Sequence, residues 1–211
     1  ATIDYMILSH AHTDHAGNIP QLVKSGYRGP IYATPATIDL CRVMLADSAH
    51  IQESDITYLN KRRAKKGQAP LSPIYTEEDV KHAMRQFVPV KYNEVTWIDD
   101  HIRFHFTDSG HILGSAAVNL EIDEKGSTKK VFFSGDVGRY NDIILREPQV
   151  FPQADIIICE TTYGNRLHEH TVDAEERLMK IVHDTCVERQ GKLIIPAFSL
   201  GRTQEVVYAL D

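Results

Sequence analysis

The sequence predicts an α/β protein, and three observations predict it. Apolar runs of strand length end in polar, loop-like segments, first at residues 3–8 (IDYMIL). Capping residues precede stretches whose apolar positions recur at helical spacing. From Trp97 to Gly135 the apolar period switches to two, and beyond residue 155 strand and helix patterns alternate in the βαβ rhythm of a parallel sheet.

Taken in order, residues 3–8 read as a buried strand that runs into the polar SHAHTDH. A short helix over Ile19–Ser25 follows, closed by Gly26, and Ile31–Ala33 reads as a second strand. Thr34 is placed to cap a helix with Pro35 at its first position. The apolar face of that helix is Ile38, Cys41 and Leu45, widened by Leu40, Val43 and Met44. The polar stretch Gln52–Gln68 is expected to be helical. After the APLSP loop, Thr76 caps a helix with Asp79 three residues later and Val80, Ala83, Met84 and Phe87 turned inward. Ile102, Phe104 and Phe106 alternate with Arg103, His105 and Thr107, and strands at 115–122 and 130–134 flank a DEKGST turn as a hairpin. Asp155–Cys159 reads as another buried strand, followed by a helix (172–190), a strand (192–196) and a helix from 202 with an apolar face of Val206, Val207 and Leu210. A domain change is expected near residue 163. The start at Ala1 and the uncapped end at Asp211 read as those of a fragment, with the second domain cut short.

Composition narrows the function classes. With 211 residues, 42% hydrophobic and 25% charged, the chain has room for one large domain or one domain and part of another. No apolar run approaches the ~18 residues of a membrane span, and no signal peptide is visible. Cys41, Cys159 and Cys186 form no CxxC pair, which fits a reducing, cytoplasmic setting; each lies among apolar neighbours and reads as a small core hydrophobe. A net charge of -6 counts against indiscriminate nucleic-acid binding but leaves room for a local basic groove. The basic run Lys61–Lys66 reads first as a solvated helix face, and second as a contact for an RNA backbone.

Eleven histidines are present, and their placement carries the chemistry. His10-x-His12-x-Asp14-His15 sets four metal-capable side chains in six residues at a strand end. Imidazole and carboxylate are the ligands Zn²⁺ takes at about 2.0–2.2 Å, and positions two apart in an extended segment project to the same side. A lone histidine is most often a hydrogen-bonded or surface residue; four metal-capable groups at this spacing are not explained that way. His111 in SGHILGSA and Asp136 in FFSGDVGR repeat the arrangement of strand end, small residues and metal-capable side chain.

At this point the chain closely resembles the metallo-β-lactamase superfamily, whose signature is HxHxDH, then a later His, then an Asp. The resemblance implies an αββα sandwich, here without its early strands, with the metals at one edge. It implies that His10, His12 and His111 bind one zinc, that Asp14 and His15 bind a second, and that Asp136 bridges them. Further on, Glu160 precedes Thr161-Thr162-Tyr163-Gly164, and PAFSLGRTQE and LADSAHIQE follow the pattern of the β-CASP branch, the nucleases that include the mRNA 3′-end processing endonuclease and its prokaryotic relatives. On that resemblance, residues 1–163 are a partial metallo-β-lactamase domain and 164–211 the beginning of a β-CASP domain.

The activity so implied is zinc-dependent hydrolysis of RNA phosphodiester bonds, in RNA processing or decay, by a dinuclear metal-activated hydroxide. Two metals about 3.5–4 Å apart lower the pKa of bound water from about 15.7 toward about 7 and clamp the phosphoryl oxygens. Asp14 is placed to hold or accept the proton, and Glu160 to orient an acid histidine that the family carries in its second domain. That histidine and the last zinc ligand are expected beyond residue 211, so the second site is incomplete and activity weak in this fragment. His168 and His170 are read as surface residues. Ser199, Gly201 and Arg202 open a helix, where backbone N–H groups and a guanidinium suit a substrate phosphate as well as they suit ordinary helix initiation. RNA is the expected partner, with a homodimer possible and no membrane. Two competing readings are another hydrolase of the same fold, acting on a thioester or lactone, and a non-catalytic scaffold of an RNA-processing complex. The βαβ segment counts against the former and the retained ligands against the latter.

Overall fold

A computed structural model describes residues 3–167 and 173–211; the expected surface histidines His168 and His170 lie outside the described residues. The chain divides into two compact units, Ala1–Tyr140 with Arg146–Glu160, and Asn141–Leu145 with Thr161–Asp211.

The first unit begins with β1 (Met6–Ile7), shorter than the expected 3–8 strand, and a single helical turn α1 (Thr13–Ala16). Helix α2 (Ile19–Lys24) and strand β2 (Ile31–Ala33) fall where expected. Helix α3 (Pro35–Ala64) is one continuous helix of 30 residues, so the polar stretch after Gln52 extends it. Its cap is the predicted one: Thr34 Oγ1 accepts from the Thr37 N–H at 3.2 Å. Ile38, Cys41 and Leu45 are buried, but Val43 is 69% exposed, because it lies off the stripe those three define.

Helix α4 (Glu77–Met84) has a full capping box. The Thr76 N–H donates to Asp79 Oδ2 at 2.9 Å, and Thr76 Oγ1 accepts from the Asp79 N–H at 3.3 Å. Lys24 Nζ also reaches Asp79 Oδ2 at 2.9 Å, tying α2 to this cap. The helix ends before Phe87, which instead opens β3 (Phe87–Pro89). Strands β1, β2 and β3 form a parallel sheet in that order. One of its faces buries Ile31 and Ala33 against Ile38, Cys41 and Leu45 of α3 and Val80 and Ala83 of α4.

The second sheet runs β4 (Thr96–Trp97), β5 (Ile102–Asp108), β6 (Ala116–Glu124), β7 (Ser127–Phe133) and β8 (Ile156–Ile158). Its first four strands are antiparallel, and β8 pairs with β7 in parallel. The β6–β7 hairpin closes through Lys125 and Gly126, both at positive φ (50° and 82°), a two-residue connection tighter than the expected six-residue turn. Phe104, Phe106, Ala116 and Val118 of this sheet pack with Val90, and Ile7 and Tyr32 of the first sheet close the cluster. The layers of this unit are therefore helix, sheet, sheet, the mixed α/β class expected. The strand expected to be buried at 155–159 is an edge strand, with Ile156, Ile157 and Ile158 between 52% and 60% exposed, since only β7 flanks it.

The second unit contains helix α5 (Ala174–Val182), which widens into a π-helical turn over His183–Glu188, and helix α6 (Arg202–Leu210). The strand expected at 192–196 does not form: apolar character alone does not make a strand without a ladder partner, and Ile194 is 87% exposed. Cys41 is buried, and burial pushes its thiol up to about 12, whereas Cys159 and Cys186 are exposed, contrary to the expectation of a core role for all three.

Candidate metal centre

Ser9 and His10 leave β1 where the two sheets meet. The Leu8 N–H donates to Tyr32 O at 2.9 Å, and the Ala116 N–H donates to Ser9 O at 2.8 Å, so the segment is held between β2 and the start of β6. His10 is fully buried, and Ser9 Oγ lies 3.1 Å from its Nδ1. That contact leaves Nε2 as the free corner of the ring, and it is buried without a hydrogen-bond partner among the described residues. An orphaned buried nitrogen is costly unless something accepts its lone pair.

The rings of His10, His12 and His111 stand almost equidistant: 5.0 Å between His10 and His12, 5.0 Å between His10 and His111, and 4.9 Å between His12 and His111. His12 Nδ1 and His111 Nε2 are 3.1 Å apart, and Asp136 Oδ2 lies 3.4 Å from His111 Nε2 and 3.7 Å from His10 Nε2. Ligands about 2.0–2.1 Å from a tetrahedral Zn²⁺ are separated by roughly 3.3–3.4 Å, and the three separations of 3.1, 3.4 and 3.7 Å bracket that spacing. These four residues fit a single cation. The second oxygen of Asp136, Oδ1, lies 3.3 Å from His15 Nε2, which in turn is 3.5 Å from Asp14 Oδ2. Asp136 thus divides its two oxygens between a three-histidine face and a His15–Asp14 face.

Burial first, and then the neighbouring His15, His111 and His12, lower the His10 pKa to about 2. Burial is also the main cause lowering His12 and His111, against the raising influence of Asp136 on each. All three imidazoles are therefore neutral at neutral pH, the form that donates a lone pair to a metal.

The loops that present His111 and Asp136 are built around close backbone approaches. Gly110 (φ 65°) and Gly114 (φ 82°) adopt conformations that L side chains avoid. A Cβ on Gly138 would lie 1.8 Å from Gly110 O, where the Gly138 N–H donates to Ser109 O at 2.8 Å. Gly114 O accepts from the hydroxyls of both Thr34 (2.6 Å) and Thr37 (2.8 Å), joining the His111 loop to the first turn of α3. Ser115 Oγ accepts from the His111 and Ile112 N–H groups at 3.0 and 3.2 Å. The sequence does not single out Ser9, Ser115 or Thr37, and it marks Thr34 only as a helix cap; a hydroxyl residue beside each metal-capable histidine loop is the available signal.

Glu160 follows β8. Its N–H donates to Ser134 Oγ at 3.1 Å, and its Oε1 accepts from the Val137 N–H at 2.8 Å, one residue from Asp136. It therefore braces the loop that carries Asp136. In the second unit, α6 starts at Arg202 as expected, with the Gly201 N–H donating to Gln204 Oε1 at 2.7 Å and Arg202 paired with Glu205 at 2.8 Å. Ser199 O accepts from Gln204 Nε2 at 3.0 Å, so these residues form an ordered helix start.

Residues 1–158 match the family model described as the metallo-beta-lactamase superfamily domain. Over 209 residues the chain is 32% identical to ribonuclease TTHA0252 of Thermus thermophilus, covering 99% of this chain and 43% of that protein. It is 37% identical to transcription termination factor FttA of Methanosarcina mazei, covering 99% of this chain and 31% of that protein. It is 31% identical to endoribonuclease YSH1 of Yarrowia lipolytica, covering 100% of this chain and 24% of that protein. The chain spans less than half the length of each of these relatives.

Proposed function

The chain belongs to the metallo-β-lactamase superfamily, in the β-CASP branch of its relatives, and from that membership we propose that it carries the metal centre of a ribonuclease that hydrolyses RNA phosphodiester bonds. The observation that carries this reading is Asp136, whose two oxygens face two separate sets of metal-capable side chains. We assign His10, His12 and His111 to one zinc ion and Asp14 and His15 to a second, with Asp136 shared. Bound divalent cations would supply Lewis acidity toward a phosphoryl oxygen and make water a nucleophile at neutral pH.

The remaining work falls to the protein's own groups. Ser9 orients His10 so that Nε2 faces Asp136. Asp14 is largely exposed at the mouth of the site, 3.5 Å from His15, where its carboxylate can take up a proton. Glu160 holds the Asp136 loop through Val137, and we assign it the further role of orienting an acid histidine. The helix start at Ser199, Gly201 and Arg202 is assigned to a substrate phosphate. In domain terms we assign residues 1–163 to the metallo-β-lactamase domain and 164–211 to a β-CASP segment. No helix among the described residues is long and apolar enough to cross a membrane; a cytoplasmic setting and a homodimer are part of the proposal.

The test is cleavage of labelled RNA and DNA, with and without chelator, alongside metal analysis. Asp136→Ala is expected to abolish chelator-sensitive cleavage of RNA, and His12→Ala to lower bound zinc. Hydrolysis of a thioester or lactone with RNA left intact would replace this reading by the other hydrolase class. Full metal content with no hydrolysis of any substrate would favour a scaffold.

A further inference from the structure

Helix α3 leaves the core halfway along. Its last residue in the buried cluster is Ala49, and beyond it Ile51, Tyr58 and Leu59 are 51%, 62% and 40% exposed. From Ile56 to Thr76 the sequence contains no Asp or Glu, yet Lys61, Arg62, Arg63, Lys65 and Lys66 fall within six residues, in a chain whose net charge is -6. This segment is braced. Asn60 Nδ2 donates to Leu71 O at 2.9 Å, the Leu71 N–H donates back to Asn60 Oδ1 at 2.8 Å, and Arg63 Nε donates to Ala69 O at 2.7 Å, folding the loop along the helix. Of the five cations, Arg63 is committed to that loop. Lys61, Lys65 and Lys66 make no ion pair among the described residues, and Arg62 lies 6.0 Å over the Tyr58 ring. Tyr58 and Lys61 also line one shallow cleft with His50, Glu53, Ser54 and Thr57.

We propose that the outer part of α3 is a nucleic-acid arm that binds the phosphates of single-stranded RNA through Lys61, Arg62, Lys65 and Lys66 and stacks a base on Tyr58. A concentrated set of cations, outnumbering the single Glu53 of the adjoining cleft, is the electrostatic footprint of a polyanion, and an exposed ring beside it supplies sequence-independent stacking. On an otherwise acidic protein such a patch gives a local attraction that the rest of the surface does not. The proposal rests on the ribonuclease reading and adds a geometry to it. The first turn of α3 is bonded to the His111 loop, and at 1.5 Å per residue Lys61 stands about 40 Å along the helix from it. At about 3.4 Å per stacked nucleotide, only a strand of roughly twelve or more nucleotides spans the two. Only long substrates can therefore engage the arm and the metal centre together.

The test is binding by the metal-stripped protein, read by fluorescence anisotropy with a 5-nucleotide and a 25-nucleotide single-stranded RNA. The combined Lys61→Gln, Arg62→Gln, Lys65→Gln, Lys66→Gln variant, and separately Tyr58→Ala, are compared with the unaltered protein, with circular dichroism and melting temperature as fold controls. For the combined variant the 25-mer is expected to bind about tenfold more weakly, with the slope of log K against log salt shallower by about two to three, and the 5-mer, short enough to sit on the arm alone, to weaken as well. Tyr58→Ala is expected to weaken 25-mer binding with the salt slope unchanged. Unchanged 25-mer binding in both folded variants overturns the arm. Binding of polyglutamate of matched charge as tightly as RNA also overturns it, in favour of an acidic protein partner. The two readings fail separately: a protein that cleaves RNA but binds the 25-mer as well without the cations keeps the nuclease and loses the arm. One that binds through the arm and never cleaves does the reverse.

Discussion

Helices α4 and α5 are nearly the same length, eight and nine residues, and both carry an apolar stripe, yet only one of them is buried along it. In α4, Val80 is 3% and Ala83 0% exposed, and the helix is fastened by a capping box and by Lys24. In α5 no residue is buried, Met179 and Ile181 are each 48% exposed, and Asp173 precedes the helix in a left-handed conformation with no side-chain cap. The contrast extends to the units that hold them: no described residue of the second unit is buried, while the first has two apolar clusters. Local sequence is enough to make a helix; burial needs an opposing surface. The measured stability should accordingly reside in the first unit.

The contrast can be broken most directly in the core. Phe106→Ala removes a fully buried ring at the junction of the two sheets and should cost about 3–5 kcal/mol in denaturant unfolding. Gly138→Ala comes next: its Cβ would clash with Gly110 O and displace the Ser109 hydrogen bond, a loss of about 2–3 kcal/mol. Because that contact aligns the His111 and Asp136 loops, metal content should fall with it. Thr76→Ala removes half of the α4 capping box and should cost about 1 kcal/mol in thermal unfolding. The hydrogen bond from Lys24 is the main cause holding the Asp79 carboxyl below its ordinary range; burial opposes it, and the hydrogen bonds from the Thr76 N–H and hydroxyl add to it. A depressed folded pKa means that this contribution is complete above the ordinary carboxylate pKa and is lost as pH falls through the lower folded value. Asp79→Asn should therefore flatten that part of the acid limb of a stability–pH curve. Smallest is Ile194→Ala in the second unit, where a side chain 87% exposed should change stability by no more than about 0.5 kcal/mol. A loss of 2 kcal/mol there would show that the second unit has a core of its own.

The same distinction governs what could be read in advance. His10 and His12 stood out because a strand end and a spacing of two determine where side chains point, whereas Asp14 and His15 stood out only as part of the motif and lie on the helical turn α1. Capping was legible at Thr34 and Thr76 because it is decided within four residues. The strand within Asp155–Cys159 was read correctly but its burial was not, and 192–196 formed no strand, because an apolar run does not state which strand will lie beside it. The brace from Glu160 to Val137 and the approach of Gly138 to Gly110 join residues 23 and 28 positions apart (160 less 137; 138 less 110), and no local pattern announces such a contact. Arg63 read as part of a solvated basic face and Asn60 as part of a polar helix, and their bonds to Ala69 and Leu71 join residues that no local pattern pairs.

The two threonine hydroxyls that converge on Gly114 O moor a 30-residue rod to the loop carrying a metal-capable histidine. A helix bends little over that length and has no free joint within it, so the rod cannot swivel or slide without dragging the carbonyl to which it is tied. Force applied to the distant tip is delivered at His111 with the leverage of the whole helix.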